Sequence, residues 1–183
     1  MGRFSEAFKY VFLGTTGLVF ALIIEFVVST IAIAIPNLPT VAVTSMFVID
    51  LVLYFASLIM GIYGYVLLYT AIHDYNKEVQ NIGTPWSAIL GLLIPIIGYP
   101  LLYNVLSRLD ERLKTPAKLL LSSIFIAIFL IILSFISLAY FSMSQSSLDF
   151  MAILIYLVLL ITGFLFIVIA WGWIYIRAKK IGL

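Results

Sequence analysis

The sequence predicts an all-α integral membrane protein with four transmembrane helices and a central, proline-broken re-entrant helical hairpin; five transmembrane helices are the alternative. Three observations carry this. The 183 residues are 64% hydrophobic and only 10% charged, where a soluble domain carries about a quarter charged residues. Mean hydropathy is +1.24. Apolar runs over about 10–35, 41–72, 117–141 and 150–176 are each longer than the roughly 18 residues that suggest a span. One more apolar stretch, about 85–107, is interrupted by Pro95, Gly98 and Pro100. The chain therefore reads as a single polytopic membrane domain, residues 1–183, with no room for a soluble one.

The first run ends at Pro36-Asn-Leu-Pro39, an uncharged turn. A small-residue pattern, Ala32-Ile-Ala34, mimics a signal-peptide cleavage box, but the run before it is long and holds Glu25, so no cleavage is expected. The second run is longer than the hydrocarbon needs and should tilt or extend into water. The polar loop His73–Gly83 follows, and Thr84-Pro85 has the chemistry of a helix start.

The broken stretch decides the topology. Pro95 and Pro100 each remove a helix hydrogen bond and disfavour helix in the preceding residue. The pieces on either side are about nine residues, roughly 14 Å, enough to reach only mid-bilayer. Read instead as one kinked helix, the stretch would span about 33 Å. Lysines and arginines discriminate between the two. Arg3 and Lys9 precede the first span, Lys77 lies before the broken stretch, Arg108, Arg112, Lys114 and Lys118 follow it, and Arg177, Lys179 and Lys180 end the chain. If the stretch returns to its own side, all of them share one face, as the positive-inside bias favours. That places both termini in the cytoplasm and the protein in the cell membrane.

After the break, Leu102, Leu106, Leu109 and Leu113 recur at helical spacing beside Arg108, Arg112 and Lys114. This predicts an interfacial helix over about 101–114, with an i,i+4 pair between Asp110 and Lys114. Thr115-Pro116 is the next helix start, Ser142–Ser147 an uncharged turn, and Trp171, Trp173 and Tyr175 read as an aromatic belt beside the basic tail.

Few residues offer chemistry. There is no cysteine and one histidine, and no nucleophile elbow, phosphate loop or metal-protease helix is present. No catalytic residue, cofactor or metal is expected, and nucleic acid is not an expected partner. Glu25 and Asp50 lie deep in apolar runs, where a carboxylate costs several kcal/mol. Both are about 15 Å from the Pro36–Pro39 turn, which makes them a candidate proton or ion site. The competing reading is a neutral pair bonded to Ser29, Thr30, Ser57 or backbone. Gly14, Gly17 and Ala21, with Ser57, Gly61 and Gly64, suit close helix approach. Arg108, Arg112 and Lys114 are candidate contacts to anionic lipid headgroups. The expected function is that of a non-enzymatic accessory subunit or membrane-organising component, partnered by the bilayer and by a second copy or another membrane protein. The alternative is a small oligomeric proton-coupled transporter or channel using Glu25 and Asp50.

Overall fold

The computed structural model describes residues 3–34, 40–142 and 149–183. The turns expected at Pro36–Pro39 and Ser142–Ser147 fall at or within the gaps between them and, Ser142 apart, lie outside the described residues. The protein is all-helical, with no strand among the described residues. Four helices are long and apolar enough to cross a membrane: α1 (Arg3–Ala34), α2 (Thr40–Glu78), α5 (Lys114–Ser142) and α6 (Asp149–Ile181). Between α2 and α5 stand two short helices, α3 (Trp86–Leu93) and α4 (Pro95–Leu109), and one 3-10 turn, Glu111–Leu113.

Helices α1 and α2 meet through the small residues. A methyl group built on Gly14 would overlap the backbone of Gly61, one on Gly17 would overlap Ser57 Oγ, and one on Gly64 would lie 2.5 Å from Val11 N. In an apolar solvent, where association rests on van der Waals packing, such close approach is what holds helices together. The partners run antiparallel: Tyr10 meets Tyr63 edge-on at 5.0 Å and Phe4 meets Tyr75 at 5.8 Å. Helices α5 and α6 form the other pair, with Gly163 against Ala127, and α6 closes on α1 where Gly172 faces the Phe12 ring.

The charged ends converge. Arg3 pairs with Asp74, the Ser5 N–H donates to the Leu183 carbonyl at 3.1 Å, and Gly83 abuts Val105. Both chain ends, the α2–α3 loop and the α4–α5 junction therefore share one end of the bundle. All ten lysines and arginines lie in these segments. Helix α1 starts earlier than hydropathy alone suggests because Phe4, Ala7, Phe8 and Val11 are buried here.

Helix α2 runs to Glu78, so half of the expected polar loop is helical. The remaining loop is fastened by Asn76, whose amide donates to the Gly83 carbonyl (2.6 Å) and accepts from Ile82 N (2.9 Å). Ile82 is thereby buried. Past α4 the expected interfacial helix does not continue. Asp110 takes an extended conformation (φ −157°, ψ 135°) and caps the 3-10 turn, accepting from Arg112 N at 2.8 Å. Its carboxylate pairs with the Arg112 side chain, which replaces the Asp110–Lys114 pair. The leucine stripe is present, but Leu102, Leu106, Leu109 and Leu113 all point into the protein core.

Candidate functional site

The site begins at the break. Ile94 leaves the helical region (φ −137°, ψ 76°) and Pro95 opens α4, where its missing N–H is no loss. The N–H groups of Ile97 and Gly98 in the first turn of α4 donate to the Ile94 carbonyl at 3.0 and 2.9 Å. Gly98 then does what no other residue could. A methyl group there would collide with Gly91 N, Gly91 Cα and the Leu90 carbonyl carbon. In one continuous helix residues 91 and 98 would stand about 10 Å apart. Here α3 and α4 lie backbone against backbone. Pro100 is carried within α4, so the break belongs to Ile94 and Pro95, and the close packing to Gly98. The arms also differ in length, 8 and 15 residues, where about nine each were expected.

This packing sets Tyr99, next to Gly98, into the protein interior opposite Tyr65 of α2. Their hydroxyl oxygens are 3.3 Å apart, long for an O–H···O bond. Trp171 of α6 stands edge-on to both rings, 5.8 Å from Tyr65 and 6.3 Å from Tyr99. Its indole N–H is buried without a hydrogen-bond partner. Trp171 is fully buried, a core residue and not the interfacial anchor that its position beside the basic tail suggests.

Beside these aromatics lies a cavity of about 560 Å³ to which all six helices contribute. Leu18 and Leu22 of α1, Leu58 of α2, Pro95 at the break, Ile128 of α5 and Phe164 of α6 are among its walls, together with Tyr65 and Tyr99. It extends over Val11–Leu22 along α1, about 16 Å. No Asp, Glu, Lys, Arg or His lines it among the described residues. The hydroxyls of the spans are mostly consumed locally. Thr15 donates to the Val11 carbonyl, Thr16 to Phe12 (2.7 Å), Ser57 to Leu53 (2.7 Å) and Ser123 to Leu120 (2.7 Å).

Glu25 and Asp50 are elsewhere. In the contacting pairs Gly14–Gly61 and Val11–Gly64 the residue numbers total 75, and so do 25 and 50. The helix register thus sets them at one depth. Asp50 is half-buried, and its Oδ1 is enclosed with no hydrogen-bond partner. Glu25 is exposed. Neither lines the cavity. The side chains of Ser29 and Thr30, expected as partners, lie outside the described residues, and Ser57 spends its hydroxyl on Leu53. Arg108, Arg112 and Lys114 are exposed at the charged end. The guanidinium of Arg112 beside Asp110 holds that carboxyl below its ordinary value.

In the sequence Tyr65 is one of four tyrosines between positions 54 and 69, Tyr99 lies in the broken stretch, and Trp171 reads as part of an interfacial belt. No local pattern joins positions 65, 99 and 171; only the return of α4 against α3 does. Comparison of the chain with protein-family models, curated proteins and solved structures finds no match.

Proposed function

We propose that this chain is a non-enzymatic, membrane-organising component of the cell membrane that takes a bilayer-derived apolar molecule into its core. The cavity carries the reading. Its size falls in the range of ligand pockets, its walls are apolar, and no charged side chain lines it among the described residues. A space of this kind excludes ions and rewards hydrocarbon.

In this reading α3 and α4 form a re-entrant hairpin that enters the bilayer and returns. Its tip supports that. Leu93, Ile94, Ile96 and Ile97 are 69%, 46%, 56% and 52% exposed. In water each would forgo on the order of 1 kcal/mol of apolar burial, whereas in hydrocarbon they are at no cost. The convergence of all ten cations on one end supports cytoplasmic termini through the positive-inside bias.

Native mass spectrometry of protein extracted from membranes tests the reading. The wild type should retain lipid-like adducts, and filling the cavity with Leu58→Phe and Ile128→Phe should remove them. A wild type without adducts, or adducts indifferent to filling, would defeat it.

A second reading, an oligomeric proton-coupled transporter or channel, is favoured by one observation: the unpartnered, enclosed oxygen of Asp50 at the depth of Glu25. A pH-jump flux assay in vesicles separates the two readings, since only the transporter moves protons and loses flux in Asp50→Asn.

A further inference from the structure

We infer that Tyr65 and Tyr99, backed by Trp171, form the polar end of the cavity and select a neutral, acceptor-headed lipid, an ester or ketone on a hydrocarbon chain. The inference rests on the reading of the cavity as a hydrocarbon site and adds the chemistry of the headgroup.

A count of hydrogens carries it. The cluster holds three donors, the two phenol O–H groups and the indole N–H, against two phenol oxygens as acceptors. The single bond within it, Tyr65 to Tyr99 at 3.3 Å, uses one donor at most. One phenol proton and the buried indole N–H are left over. In a low-dielectric interior an unpaired donor costs far more than in water. Nothing within the cluster takes these donors, and a carbonyl oxygen set against the tyrosines would supply two lone pairs. The hydroxyls of Thr15 and Ser57 donate to their own helices, and neither oxygen takes a bond from the indole N–H, which has no partner.

The walls then fix the rest of the molecule. Both tyrosines line the cavity, and the space beside them is apolar over about 16 Å but for Thr15 and Tyr54. That length suits a hydrocarbon chain with its polar atom at one end. Charge is disfavoured, since no Lys, Arg or His lines the cavity among the described residues. A carboxylate would be desolvated without a counter-ion. An alkane would fit the walls but leave the donors unpaired.

Trp171 reports on the site directly. In the Trp86→Phe/Trp173→Phe protein it is the one tryptophan left of three. This protein in lipid nanodiscs is titrated with methyl laurate, dodecane and laurate, and Trp171 emission is followed. Methyl laurate should bind about threefold to tenfold more tightly than dodecane, the worth of one neutral hydrogen bond, and more tightly than laurate. Tyr65→Phe and Tyr99→Phe keep the rings and remove the oxygens; each should narrow the preference for ester over alkane, and the double variant should abolish it. If dodecane matches the ester while Leu58→Phe/Ile128→Phe blocks both, the headgroup inference is overturned and the hydrocarbon site stands, its tyrosines satisfied by a buried water. Tighter binding of laurate would overturn the preference for a neutral head. Should no compound change Trp171 emission, with or without the filling pair, the inference and the underlying reading fall together.

Discussion

Gly98→Ala tests the packing on which the site depends. A methyl group at Gly98 meets backbone atoms of Gly91 and Leu90, and backbone cannot rotate aside as a side chain can. The arms must part by on the order of 1 Å, an overpacking cost of about 1–3 kcal/mol. Better helix propensity returns up to about 1 kcal/mol, leaving a net loss of about 1–2 kcal/mol. Gly61→Ala is the matched control. It lies in the tight α1–α2 contact, yet its methyl group would be 3.9 Å from Gly14 Cα, ordinary van der Waals distance. With no clash to offset the propensity gain, it should be neutral or stabilising by up to about 1 kcal/mol. The two substitutions are chemically identical and should differ in sign. Reversible unfolding in mixed micelles, followed by tryptophan fluorescence, measures both. Equal effects, or a Gly98→Ala protein as stable as wild type, would mean that α3 and α4 do not lie backbone against backbone.

Other outcomes follow from the same geometry. With no cysteine background, Lys77→Cys and Lys114→Cys should label from the same side of sealed vesicles and Asp149→Cys from the other; opposite labelling of 77 and 114 would leave five spans. Replacing Arg108, Arg112 and Lys114 with Gln should weaken retention of anionic lipid by about 1 kcal/mol for each charge; unchanged retention in native mass spectrometry would restrict these charges to topology. Asp110→Ala should cost about 1 kcal/mol through the lost cap, with only a small ionic part because Arg112 is exposed. The carboxyl is held below its ordinary 3.8, so the ionic part should be complete above that pH and fade as pH falls through the lowered value. Acid titrations of wild type and Asp110→Ala that run parallel through this range would refute it. Glu25→Gln and Asp50→Asn, at one depth, should be non-additive in stability by on the order of 1 kcal/mol; strict additivity would end their treatment as one site.

Much of the fold could be read in the sequence because the bilayer leaves few choices. Apolar length alone marks the four long helices, and the glycines at 14, 17 and 64 mark where α1 and α2 touch. The differences arise where a residue has two legitimate homes. Trp171 beside Arg177 and Lys179 has the composition of an interfacial belt, but the 3.6-residue period turns it inward with Ile167, Ala170 and Ile174, all buried. The stripe Leu102, Leu106, Leu109 and Leu113 is amphipathic by the same period; whether it faces lipid or protein depends on a neighbour that local periodicity cannot name. By spacing Asp110 reads as a helix-surface residue, yet Asp competes with the helix by bonding nearby backbone. The bond to Arg112 N at 2.8 Å is that competition won.

The two candidate chemistries of this chain lie apart, and the separation bears on which is functional. A carboxylate is conspicuous in an apolar run, so Glu25 and Asp50 drew attention first. Yet Glu25 is exposed, and neither residue reaches the enclosed space that a ligand would occupy. Tyrosine and tryptophan are inconspicuous in a chain that is 15% aromatic, so nothing in the sequence marks Tyr65, Tyr99 and Trp171 as one site. Their significance comes from satisfaction, not composition. Where Thr16, Ser57 and Ser123 each spend a hydroxyl on the preceding turn of their own helix, the phenol and indole groups are too long and rigid to bend back the same way. Three such groups brought together by the return of α4 leave donors that no helix can absorb, and the two tyrosines line a large apolar space in which an acceptor could be delivered.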